Sequence, residues 1–135
     1  MTQDDNAPLT ARGSFTVEVT QRPPDPDTDP LGQLRLKKTW TGDIEGTGHG
    51  LMLSGGDPSA GTAGYVAMEV VSGTLAGQWG TLAFQQYGAM RAGEAELVYE
   101  VVPGSGTGEL AGLSGVLTLD VVDGAHQWEL RYRLG

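Results

Sequence analysis

Lys38 and Glu45 are the first two residues in this chain whose types and spacing allow chemistry. Thr41 and Gly42 separate two alternating segments, and a two-residue hairpin turn there would place Lys38 opposite Glu45 on the more apolar face. A bulge or a longer turn would change this register. A buried lysine beside a carboxylate can serve ligand binding or proton transfer, because burial and a charged neighbour shift pKa values. We therefore predict a polar pair inside the protein at these two positions.

The supply of metal-binding and nucleophilic side chains is small. The chain has no cysteine and only two histidines, His49 and His126. Disulfides and thiolate metal sites are thus excluded, and a histidine-rich metal site or a catalytic triad is disfavoured. The segment GTGELAG at 106–112 matches a loose dinucleotide-binding pattern, but a strand follows where that site requires a helix. We predict neither a metal nor a cofactor.

The end of the chain contains the clearest local signal. Asp123 and Gly124 form a two-residue hairpin turn of type I′. This turn places His126 opposite Val121 and Trp128 on the same inner face, while charged residues occupy the other face. His126 is therefore expected inside the protein near a rim, and Trp128 is expected deeper inside.

The elements that must position these residues are all strands. Alternation of apolar and polar residues predicts eight of them. No stretch carries a helical stripe of useful length, although ELAGL at 109–113 can form a single turn. Short strands without helices indicate a sandwich or an up-and-down barrel. The predicted strands cover residues 12–20, 33–40, 43–54, 62–71, 79–90, 95–102, 116–122 and 125–134.

Length and charge limit the size of the fold and its partners. A chain of 135 residues suits one domain, and we predict a flexible tail at 1–10 followed by one domain at 11–135. The net charge of −9 argues against nucleic acid or an anionic membrane as a partner. The amino terminus has no leader pattern, so a cytoplasmic location is expected. The proline- and aspartate-rich segment 22–30 is predicted to be a mobile loop.

Three stretches resemble a known family. They are KTWTGDIEGTG (38–48), AGYVAMEVVSGTLAGQWGTLAFQQYGAM (63–90) and VVPGSGTGELAGLSG (101–115), and the likeness extends to DGAHQWELRY near the end. They are similar to an uncharacterised bacterial domain family of unknown function with the allene-oxide-cyclase-like fold. The resemblance implies an all-β, closed, eight-stranded antiparallel up-and-down barrel. It implies no established activity.

The resemblance also implies a set of candidate site residues. The position after Gln85 is a histidine in many relatives, whereas this chain has Gln86, which counts against a mechanism that needs an imidazole there. The alternation around Glu69 leaves open which face of its strand is internal, and a structural ion pair between Glu69 and Lys38 is the simpler alternative. Trp40 and Trp128 are core residues or walls of a pocket. The positions that the family shares are Lys38, Glu45, Tyr65, Glu69, Gln85 and His126.

Three functions agree with this pattern. An eight-stranded barrel is either filled by its own side chains or holds one small ligand, so a barrel that binds a small apolar or lipid-like molecule is the first expectation. An isomerase or cyclase acting on an apolar substrate is the second, by resemblance to allene oxide cyclase. A packed barrel that acts through its surface or as a homo-oligomer is the third. Whether the chain is an enzyme is left open.

Overall fold

The protein is a closed barrel of eight antiparallel strands in chain order. A computed structural model describes residues 7–135. Short 3₁₀ turns at Pro58–Ala60 and Gly108–Leu110 lie in connections between strands. The predicted barrel and the single turn near 109–113 are thus confirmed. The strands are β1 Leu9–Gln21, β2 Gly32–Gly42, β3 Ile44–Asp57, β4 Thr62–Leu75, β5 Gln78–Arg91, β6 Glu94–Val101, β7 Ser114–Val122 and β8 Ala125–Arg133.

The barrel closes where the first strand meets the last. Phe15 of β1 pairs with His126 of β8, and Ala11 pairs with Leu130. Leu9 and Thr10 already belong to β1, so the predicted tail at 1–10 overlaps the barrel at these two residues, and its first six residues lie outside the described part. The weakest pairing in residues 7–135 lies between β6 and β7, which share one residue pair, Glu100 with Val116.

The last hairpin has the predicted register. Val121 pairs with His126 and Leu119 pairs with Trp128. Both turn residues, Asp123 and Gly124, have positive φ angles of 51° and 80°, as a type I′ turn requires. The hairpin therefore presents Trp128 to the interior, where it is buried.

The predicted register between β2 and β3 is wrong. Lys38 pairs with Gly48, not with Glu45, because β2 continues to Gly42 and the chain turns one residue later, at Asp43. Asp43 is held there by two hydrogen bonds with the Arg12 backbone: the Arg12 N–H donates to the Asp43 carboxylate at 2.8 Å, and the Asp43 N–H donates to the Arg12 carbonyl at 2.9 Å. The shift is three residues. Since side chains alternate between faces, an odd shift moves every β3 residue to the opposite face.

The two ends of the barrel differ in packing. We call the end with the β2–β3, β4–β5 and β6–β7 connections the packed end, and the end with the other four connections the turn end. The packed end contains most of the buried apolar side chains, and Trp40 lies among Phe15, Phe84 and Trp128 there with ring centroids 4.9–5.5 Å apart. The turn end contains the half-buried residues Met52, Tyr65 and Met90. The interior is therefore filled at one end and open at the other.

Candidate functional site

A closed triangle of polar side chains lies in the middle of the barrel. Lys38 Nζ donates to Glu69 Oε1 at 2.7 Å and to the Tyr99 hydroxyl at 2.8 Å. The Tyr99 hydroxyl donates to the same Glu69 oxygen at 2.8 Å. The other Glu69 oxygen accepts from Trp40 Nε1 at 3.3 Å. We call Lys38, Glu69 and Tyr99 the central triad.

The surroundings of the triad explain how two charges are kept out of water. Lys38 Nζ lies 4.5 Å from the centroid of the Phe15 ring and 5.1 Å from that of Tyr99, which are cation–π distances. On β3, a β-carbon at Gly48 would come within 2.4 Å of Glu69 Oε2. Glycine at this position therefore gives the carboxylate the space that it occupies.

Burial and the Glu69 charge oppose each other in their effect on the pKa of Lys38 but act in the same direction on the pKa of Tyr99. Burial lowers the pKa of Lys38, and the Glu69 carboxylate opposes that shift. Burial, followed by the charge and the hydrogen bond of Glu69, raises the pKa of Tyr99 well above its ordinary value. The Lys38 and Glu69 side chains are only 5% and 2% exposed. The triad is thus an internally satisfied ion pair that is closed to solvent.

A cavity of about 340 Å³ lies inside the barrel at the turn end. Its walls include Met52 of β3, Tyr65 of β4, Met90 of β5 and Leu97 of β6. The Tyr65 hydroxyl donates to Gln86 Oε1 at 2.8 Å, and burial raises the pKa of Tyr65. This arrangement combines apolar walls with one polar pair, as ligand pockets do.

The structure brings six of the eight predicted site residues to the barrel interior and places the other two outside. The interior residues are Lys38, Trp40, Tyr65, Glu69, His126 and Trp128. Of these, Lys38, Trp40 and Glu69 join one hydrogen-bonded cluster. His126 is half-buried, and its ring stacks on Phe15 with centroids 5.1 Å apart. Trp128 Nε1 is buried without a hydrogen-bond partner among residues 7–135.

Two predicted site residues are corrected. Glu45 is exposed and pairs with Thr74, because the β2–β3 register differs from the predicted one. Gln85 faces outward, where its Nε2 donates to Glu100 Oε1 at 2.9 Å. The inward-facing amide is that of Gln86, which pairs with Tyr99 on β6.

Sequence reasoning missed Tyr99 and did not treat Gln86 as an interior residue. A signal for both was present in the connection between β5 and β6. Ala92 and Gly93 form a two-residue turn with positive φ angles, which pairs Gln86 with Tyr99 across the hairpin. The same register pairs the apolar Phe84 with Val101. Gln86 and Tyr99 share the face of that apolar pair, which identifies the inner face of both strands.

Residues 7–135 contain neither a candidate metal site nor a candidate membrane-spanning helix. No group of three or more histidine, aspartate or glutamate side chains there has the arrangement to hold a metal ion. No helix in this part of the chain has the length and apolar character needed to cross a membrane.

Comparison with known proteins agrees with the barrel. The chain belongs to the family described as "protein of unknown function (DUF3224)", whose model matches residues 11–132. A crystal structure of a protein with unknown function from this family, from Shewanella oneidensis MR-1, is 36% identical and superposes with a TM-score of 0.88. The match covers 95% of this chain and 98% of that one. No curated protein matches the chain.

Proposed function

We propose that this member of the DUF3224 family binds one small, mainly apolar molecule inside the barrel at the turn end. The observation that carries the proposal is the interior cavity of about 340 Å³. Ligand pockets span about 300–1,000 Å³, so a small molecule fits better than a long lipid chain. The cytoplasmic location that we expect from the sequence stays a prediction.

The cavity walls define the chemistry of the ligand. Met52 and Met90 are flexible and polarisable, and such side chains adapt to ligands of different shape. The Tyr65 hydroxyl is protonated at neutral pH, as an ordinary tyrosine is, and burial raises its pKa further, so it can donate to a ligand oxygen as it does to Gln86. The expected ligand therefore has an apolar body and one hydrogen-bond acceptor such as a carbonyl group.

We infer an entrance to the cavity on the same side of the barrel. Leu97 of β6 and Val121 of β7 occupy positions whose side chains alternate toward the barrel interior, but both side chains are exposed. The two strands share a single residue pair near the packed end of β6. The sheet therefore opens toward the turn end between β6 and β7, and apolar side chains line the opening.

Binding agrees with the geometry better than acid–base catalysis does. The acid and base atoms of the central triad lie 2.7–2.8 Å apart, but they are sealed from solvent. A molecule in the cavity would meet the Tyr65 hydroxyl in its wall, which is bonded to Gln86, and a glutamine amide does not transfer protons at neutral pH. An isomerase would need the triad to open.

The decisive experiment has two steps. Native mass spectrometry of the protein purified from its own host should reveal a co-purifying small molecule. Ala63 faces the cavity, so Ala63→Phe should fill it and remove both the bound mass and the fluorescence of the apolar probe anilinonaphthalene sulfonate. Ala125→Phe makes the same change at an exposed site on β8 and should leave both signals intact.

Two results would overturn the proposal. One is a protein purified from its own host that shows only the mass of the bare chain and does not bind the probe. The other is a folded Ala63→Phe variant that retains the ligand as well as the Ala125→Phe control does. Tyr65→Phe refines the test, because losing one hydrogen bond should weaken the binding of a carbonyl-containing ligand roughly tenfold.

A further inference from the structure

The outer face of the barrel has an apolar surface that the interior cavity does not use. Leu51 and Leu53 of β3 lie beside Val66 and Met68 of β4, and each of the four is about half exposed. Together with neighbouring side chains they line a shallow concavity of about 580 Å³. We define the outer strip as Gln33, Leu51, Leu53, Val66, Met68, Gln85, Tyr87, Val98 and Glu100, all of which line this concavity.

Strand register makes the outer strip continuous. Met68 pairs with Leu51 on one side and with Gln85 on the other. Val66 likewise pairs with Leu53 and with Tyr87. Two adjacent rows of side chains therefore cross from β2 to β6 without a charged residue in the middle. Contiguous apolar surface of this kind is uncommon on a monomer and marks interaction sites.

The two ends of the outer strip have opposite charges. Arg22 lines the concavity at its β2 end, where the backbone N–H of Arg22 donates to the backbone carbonyl of Gln33 at 2.8 Å. Glu100 lines it at the β6 end. A surface with a cation at one end and an anion at the other is complementary to itself when it is turned around.

We propose that the outer strip is the interface of a two-fold homodimer. A two-fold axis along β4 places the β2 side of one copy against the β6 side of the other. Arg22 then lies on the side of Glu100 of the second copy, one row of side chains away along the strands. Met68 and Val66 meet their own equivalents at the centre. This is the isologous arrangement that most homodimers use.

A second copy fits the outer strip better than other occupants do. A peptide that adds a strand needs a free sheet edge, but β3, β4 and β5 are paired on both sides. A membrane with anionic lipids would repel a chain of net charge −9. Physiological salt screens the repulsion between two copies beyond about 8 Å, so the net charge does not prevent their approach. Local apolar contacts and Arg–Glu contacts then determine whether two copies associate.

Sedimentation equilibrium of the full chain tests the proposal. The wild type should be a dimer at tens of micromolar, and Met68→Asp should raise the dimer dissociation constant on the order of 100-fold, because it places an unpaired charge at the centre. Val122→Asp is the matched control, since Val122 is 44% exposed on β7 outside the outer strip. It should leave the dimer intact, and circular dichroism should show both variants folded.

A charge exchange tests the orientation of the two copies. Arg22→Glu and Glu100→Arg should each weaken the dimer, and the double variant should recover most of the loss because the pair is restored with its signs reversed. A wild type that is monomeric at all concentrations overturns the proposal, including one whose outer strip binds lipid vesicles instead. A dimer that tolerates Met68→Asp as well as Val122→Asp also overturns it.

Discussion

Strands β4 and β8 belong to the same barrel but distribute their residues in opposite ways. In β8 the inner residues Trp128, Leu130 and Tyr132 are buried, and Glu129 and Arg131 between them face outward. In β4 the inner row includes the charged Glu69. Its outer row consists of Val66, Met68 and Val70, each 50–53% exposed.

The difference shows that a strand's apolar face need not be its buried face. Glu69 is stable inside because Lys38, Tyr99 and Trp40 satisfy both of its oxygens. An outer apolar row is tolerated when the surface binds another molecule, as we propose for the outer strip. The arrangement of β8 serves packing, whereas that of β4 combines a central ion pair with the exposed apolar row that we propose as a dimer interface.

Removing one member of the ion pair should have the largest effect. Glu69→Ala leaves the Lys38 ammonium buried without its carboxylate, and we expect a loss of about 3–5 kcal/mol in the free energy of unfolding. Urea denaturation measures it. The double variant Lys38→Met, Glu69→Leu removes both charges and should recover much of the loss. A Glu69→Ala loss below about 1 kcal/mol would show that the pair does not matter for stability.

Truncating apolar residues on the two strands should distinguish their faces. Leu130→Ala creates a cavity in the packed interior and should destabilise the protein by about 2–4 kcal/mol. Met68→Ala removes a similar volume from the outer face of β4, so the free energy of unfolding of the isolated monomer should change by no more than about 0.5 kcal/mol. Denaturation at low protein concentration compares them. Equal losses would contradict the outward orientation of Met68.

Filling the space beside Glu69 should have a smaller effect. Gly48→Ala brings a β-carbon within 2.4 Å of Glu69 Oε2, and we expect a cost of about 1–3 kcal/mol from the displaced ion pair. Gly55→Ala is the control on the same strand, because its β-carbon would meet only the Leu31 side chain at 3.4 Å. Thermal unfolding should show a lower Tm for Gly48→Ala alone. If both variants melt together, the triad is not tightly held.

The smallest expected effect is an alkaline loss of stability that originates in the triad. Because the folded pKa of Tyr99 is raised, its contribution is complete below the unfolded value near 10 and is lost as pH rises above it, by about 1.4 kcal/mol per pH unit. The pKa of Lys38 is lowered, so Lys38 has the opposite effect. Its contribution to the free energy of unfolding increases as pH rises toward the unfolded value of 10.5. Urea denaturation near pH 9 and pH 11 should therefore show a smaller loss for Tyr99→Phe than for the wild type. Equal losses would assign the effect to other tyrosines.

Much of the architecture was predictable because the cues for it are local. Gly and Pro at the turns limit each strand, and the Asp123–Gly124 turn sets the register of β7 and β8 by backbone conformation alone. The candidate site was less predictable. Its register around residue 43 depends on hydrogen bonds from Arg12, which lies 31 residues away in the chain, and a local pattern contains no information about that contact.

The amino-acid sequence by itself determined eight strands and the inner face of the last hairpin, because alternation is strong where one face is charged, and the family resemblance implied their order in a closed barrel. Tertiary structure alone decided the orientation of β4, where both faces carry apolar residues and alternation is uninformative. The interior there is defined by Lys38 and Tyr99, which lie 31 and 30 residues from Glu69 in the chain. Only closure of the barrel brings these side chains together, and desolvation then makes each of them require the other two.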